Sequence, residues 1–118
     1  KIKIENIHLL IIGPDFDFKE KAKRIVNNLK INDKVHFLGL LDKTKKYEAY
    51  ADADIVVCPS FYEAGISAVV MEAASVAKPL IISEHIGFSD EARKFNVALT
   101  CKPNNIQDLQ EKILSLLN

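Results

Sequence analysis

The sequence has no excess of charge, no long apolar run and only two cysteines. Its 16 lysines and arginines balance 16 aspartates and glutamates. A neutral chain has no field with which to gather phosphate backbones or anionic lipid, so nucleic acid is not an expected partner. The longest apolar stretch of note, Ile7 to Ile12, is interrupted by His8 and falls far short of the roughly 20 residues of a membrane span. Cys58 and Cys101 lie far apart with no second pair beside them, which fits neither a disulfide framework nor a zinc site. Both sit in apolar runs and read as free buried thiols. The expected compartment is therefore reducing, the cytoplasm. The first residue is Lys and not Met, and Lys1 to Asn6 is unlike a natural start, so a piece of a longer chain is expected.

What is present is ordinary globular composition, 48% apolar and 27% charged. Surface scaling gives about 6,400 Å² exposed when folded against about 19,000 Å² unfolded, with roughly two-thirds buried. That supports one domain over residues 1–118 around one core.

Short apolar runs alternate with segments of helical period. His8–Ile12 is closed by Gly13-Pro14, and Val35–Leu38 by Gly39. Ile55–Cys58 is closed by Pro59-Ser60; Leu80–Ser83 and Val97–Thr100 complete the five. Between the first two, Phe18, Ala22, Ile25, Val26 and Leu29 form one stripe of an amphipathic helix. A polar stretch, Asp42 to Lys46, leads into a short helix around Tyr47 to Ala51. Ile66 to Val76 reads as a helix apolar almost all round, and Ser89 to Lys94 as one or two turns. A last helix from Ile106 to Leu117 has Asn105 as N-cap and Asp108 in its first turn. Strands alternating with helices give an α/β fold, a Rossmann-like parallel sheet of about five strands with helices on both faces.

In such a sheet, ligands bind beyond the carboxyl ends of the strands. The segment 59–67, Pro-Ser-Phe-Tyr-Glu-Ala-Gly-Ile-Ser, stands at one of those ends and leads into a helix carrying Glu72. Gly65 permits close backbone approach. The helix N-terminus near Ile66 to Ala68 offers unpaired N–H groups to a phosphate. Glu63 and Glu72 flank that place. A carboxylate among Ala, Val and Met is costly to bury without hydrogen bonds, which ribose hydroxyls would supply; alternatively Glu72 points to water or caps a neighbour. His85, after the fourth strand, is either a general acid/base or a solvated loop residue. His8 and His36 read as structural. Lys43, Lys45 and Lys46 read as a solvated face, and Tyr47 and Tyr50 as packing residues.

Taken together, Pro59-Ser60, Glu63, Gly65, Glu72-Ala73 and Lys78-Pro79-Leu80-Ile81 resemble the signature of retaining glycosyltransferases of family 4, which have the GT-B fold. Leu9–Gly13, Val35–Gly39 and the closing helix are similar to further parts of that family's carboxyl-terminal lobe. The resemblance runs from about Ile7 to Leu117. It implies an incomplete lobe that binds a UDP- or GDP-type nucleotide-sugar, with transfer to an acceptor at retained anomeric configuration. Glu72 would bind the ribose, Glu63 would address the transferred sugar, and backbone amides around Gly65, Ile66 and Ser67 would hold the diphosphate. Gly39, Leu40 and Leu41 would lie beside the base. No metal or other cofactor is implied. The partner would be the amino-terminal acceptor lobe of the parent chain, through which peripheral membrane association would arise. The isolated 118 residues would be inactive.

The chain departs from that pattern in three places. Eight residues separate Glu63 from Glu72 where the family has seven. Ala64 stands for the family's Phe, and Ala77 for its Gly. The family's first strand, with its Gly-Arg step and following lysine, is missing. A non-catalytic binding module is the alternative reading. A response-receiver domain would need an Asp where Cys58-Pro59 stands, and Gly13-Pro14-Asp15 is no dinucleotide loop. In the order 3-2-1-4-5-6 the missing strand is central. Direct closure of His8–Ile12 on Ile55–Cys58, or filling of the gap by the rest of the parent, is therefore expected.

Overall fold

The computed structural model describes residues 5–15, 17–60 and 67–118. The fold is α/β, with strands and helices in strict alternation. The order is β1 (Leu9–Ile12), α1 (Lys19–Asn28), β2 (Val35–Gly39), α2 (Lys43–Asp52), β3 (Val56–Cys58), α3 (Ala68–Ser75), β4 (Leu80–Ser83), α4 (Ser89–Lys94), β5 (Leu99–Cys101) and α5 (Ile106–Leu117). Packing divides the chain into two compact units, residues 1–46 and 47–118.

In the first unit β1 and β2 are parallel, with Leu9 opposite Val35 and Leu10 opposite His36. The register slips after Ile11, so that Ile12 faces Gly39. The amide of Gly13 then donates to the carbonyl of Gly39 at 2.9 Å and extends the ladder. Gly39 adopts φ +67°, a left-handed conformation that glycine enters without steric cost. The amphipathic stripe expected on α1 has formed, but only Ala22 and Val26 of it are half-buried, and Phe18, Ile25 and Leu29 stay exposed.

In the second unit β4 lies between β3 and β5, all parallel. All four residues of β4 are buried, as befits a strand covered on both faces. Val70 and Ala73 of α3, Ile86 and Ala92 pack with Cys58, Leu80 and Ile82 into one cluster. Among the described residues every buried apolar side chain belongs to this unit.

Four expectations are corrected. The five strands form a two-stranded and a three-stranded sheet, not one sheet of five. Among the described residues β1 pairs only with β2, and β3 only with β4; the direct closure is not made. The burial pattern agrees with this, since a strand inside a single sheet would be covered as β4 is, whereas all four residues of β1 are exposed. Helix α2 begins at Lys43, because Asp42 Oδ1 accepts from the Lys45 amide at 2.9 Å and caps it. Strand β5 starts at Leu99, two residues later than expected. Asn96 at φ +55° and the bond from the Val97 amide to the Ala92 carbonyl use the intervening residues to close α4.

Candidate functional site

Strand β3 ends at Cys58, and the chain re-enters the described residues at Ser67, immediately before α3. Ser67 is the buried N-cap of that helix, at 3% exposure, with φ −64° and ψ 134°. Its hydroxyl makes no bond to the helix amides and lies instead 4.0 Å from Cys58 Sγ, which is 3.8 Å from Ser60 Oγ. Glu63, Gly65 and Ile66, singled out above, lie outside the described residues.

Glu72 sits in the second turn of α3, half-buried between exposed Met71 and buried Ala73. The Tyr50 hydroxyl of α2 donates to Glu72 Oε2 at 2.9 Å. Burial first, and then the hydrogen bond and negative charge of Glu72, push the Tyr50 hydroxyl above the ordinary tyrosine range. Tyr50 packs against the core cluster, and the ring of Tyr47 meets it edge-on at 6.0 Å. The expectation that these tyrosines pack is thus met. The bond from Tyr50 to Glu72 was not foreseen, although an O–H on a part-buried aromatic ring regularly finds an acceptor.

The other strand ends of this unit are held by local bonds. The Glu84 amide donates to the Cys101 carbonyl at 2.9 Å, and Ser89 Oγ to the Glu84 carbonyl at 2.9 Å. His85 is exposed in the loop, and its amide donates to Ser83 Oγ at 3.3 Å. After β5, Asn105 caps α5 as predicted, accepting from the Asp108 amide at 2.9 Å. Both cysteines are free and buried, and burial pushes the Cys101 thiol up, so Cys101 is not a poised nucleophile.

In the first unit Gly39 and Leu41 are half-buried, and Leu40 is 76% exposed. A cavity of about 300 Å³ opens at the carboxyl ends of β1 and β2, lined by Ile11, Gly13, Pro14, Phe18, Phe37 and Gly39 among others. The sequence pointed to Gly39; the two phenylalanines were not singled out, though Phe37 is the one aromatic residue of its strand besides His36. Among the described residues no group of three or more His, Cys, Asp or Glu could hold a metal, and no helix is long and apolar enough to cross a membrane.

An uncharacterized glycosyltransferase of Methanocaldococcus jannaschii is 31% identical over 74 residues, 63% of this chain and 19% of that protein. A sucrose-phosphate synthase of Thermosynechococcus elongatus superposes with a TM-score of 0.82 at 25% identity, over 93% of this chain and 29% of that one. HepE of Anabaena, solved in complex with UDP, superposes with a TM-score of 0.79 at 19% identity, over 94% of this chain and 31% of that one. The chain thus spans less than a third of each of these proteins. Residues 1–118 match the family model for Glycosyl transferases group 1, and the chain belongs to that family.

Proposed function

We propose that this chain is the donor-binding part of a retaining glycosyltransferase of family 4. The parent enzyme takes a sugar from a UDP- or GDP-type donor and passes it to an acceptor held by another lobe. The observation that carries the reading is the half-buried carboxylate of Glu72 on α3, one strand-to-helix connection beyond the end of β3. A carboxylate accepts hydroxyl donors at both oxygens, and a ribose presents two hydroxyls on adjacent carbons. The UDP held by HepE of Anabaena supports a nucleotide of this kind.

In this reading Glu72 holds the ribose, Glu63 addresses the transferred sugar, and the amides around Gly65, Ile66 and Ser67 hold the diphosphate. Gly39, Leu40 and Leu41 lie beside the base. The leaving diphosphate is stabilised by the helix N-terminus and by basic side chains, and no metal is needed. Calorimetry on the full-length protein tests this. Glu72→Ala should weaken UDP or GDP binding by roughly 1.5–3 kcal/mol for each hydrogen bond lost; unchanged affinity rejects the assignment. The eight-residue spacing between Glu63 and Glu72 favours a second reading, a non-catalytic binding module. Sugar transfer by the full-length protein, reduced by Glu63→Gln while nucleotide affinity holds, would exclude it.

A further inference from the structure

We infer that Tyr50 is a positioning residue for donor binding, holding the Glu72 carboxylate in the orientation that receives the ribose. The inference rests on the reading of Glu72 given above.

Three observations converge on it. The Tyr50 hydroxyl donates to Glu72 Oε2 at 2.9 Å across 22 residues of sequence. The ring that carries this hydroxyl packs against the buried cluster and meets Tyr47 edge-on. Glu72 itself stands in an eight-residue helix with no other charged side chain. A glutamate has three side-chain torsions and samples many positions. A tyrosine has two, and here its ring is braced by packing, so its O–H reaches one place. The rigid partner therefore sets the position of the flexible one, as a supporting shell does for a binding group.

The chemistry suits the role. A hydroxyl donating to a carboxylate makes a charge-assisted hydrogen bond. Each carboxylate oxygen has two lone pairs, so accepting from Tyr50 does not by itself saturate a carboxylate. Burial and the neighbouring carboxylate keep Tyr50 protonated through the neutral range, so the donor does not switch off. A bond whose only service is to tie α2 to α3 would affect stability alone. A positioning bond affects how well the protein tells a ribose from a sugar lacking its hydroxyls.

That difference is the test. In the full-length protein, calorimetry compares whichever of UDP, GDP and ADP binds most tightly with its 2′,3′-dideoxy counterpart, and thermal melting is followed alongside. The native protein should prefer the ribonucleotide by about tenfold or more, corresponding to about 1.4 kcal/mol per tenfold. Tyr50→Phe, which removes one oxygen, should cut that preference about three- to tenfold, with dideoxy affinity and melting temperature nearly unchanged. In a Glu72→Gln background it should have no further effect. Glu72→Asp, which keeps the charge but withdraws it from Tyr50, should also shrink the preference, and serves if Tyr50→Phe does not fold. An intact preference in Tyr50→Phe or Glu72→Asp, with Glu72→Gln having lost it, overturns the positioning role and leaves the ribose reading standing. An intact preference in Glu72→Gln, or no binding of any of the three nucleotides, overturns the ribose reading and this inference with it.

Discussion

His8 Nδ1 and His36 Nε2 lie 3.0 Å apart, with their rings stacked at a centroid distance of 5.3 Å and an interplanar angle of 22°. The register explains the meeting. Leu10 opposes His36, and His8 is two positions before Leu10, so both imidazoles lie on one face of the ladder. One ring donates and the other accepts. Cross-strand pairs of this kind contribute about 0.2–1 kcal/mol. His8→Ala and His36→Ala should each cost about that much in urea unfolding, and the double variant should cost less than their sum. Simple additivity would mean that the two rings are neighbours without energetic coupling.

The Tyr50 hydroxyl gives the second unit a pH dependence at alkaline pH. Its folded value is raised above the ordinary 10.0 by burial and by Glu72. Above pH 10 the unfolded chain therefore releases a proton that the folded one keeps. The unfolded state then binds fewer protons, and stability falls as pH rises. Urea unfolding of the native chain at pH 7, 9 and 11 should show a loss beyond pH 10 that is smaller in Tyr50→Phe. Parallel curves for the two proteins would contradict the assignment.

Ala77 adopts φ +55° at the end of α3. The bonds from the Ala77 amide to the Ala74 carbonyl, 3.0 Å, and from the Lys78 amide to the Ala73 carbonyl, 3.2 Å, close the helix around it. This is the position where the family pattern has glycine. The left-handed conformation costs an L-residue about 1–2 kcal/mol, and glycine forfeits about 0.4–1 kcal/mol through the freedom of the unfolded chain. Ala77→Gly should therefore stabilise by about 0.5–1 kcal/mol, read as a higher urea midpoint at unchanged slope.

Ile82 and Ile11 are both strand isoleucines, at 0% and 38% exposure respectively. Ile82→Ala should cost about 2–5 kcal/mol, because it opens a cavity in the cluster beneath β4. Ile11→Ala should cost less than about 1.5 kcal/mol in this chain, since much of that side chain is already in water. Equal losses in chemical denaturation would show that β1 is covered in solution.

Features set by neighbours along the chain were legible in the sequence. The bounds of α5, its Asn105 cap and the short helix from Ser89 follow from period, capping chemistry and apolar content within a dozen residues. The start of α2 is equally local, since Asp42 is a capping residue three positions before the amide it binds. Other features depend on which segments meet, and no local pattern encodes that. The same apolar alternation marks β1 and β4, yet β4 is buried and β1 exposed, because burial of a strand depends on a second layer that its own residues cannot supply. Gly39 was marked by its place at a strand end, but the cavity beside it is shaped by Phe18 and Phe37 from two different segments. His8 and His36 stand 28 residues apart, and Tyr50 and Glu72 stand 22 apart. Sequence chemistry identified Glu72 as a carboxylate that needs a partner. Tertiary packing alone decided that Tyr50 is such a partner, because a hydrogen bond requires two groups within about 3 Å and only the fold brings them there.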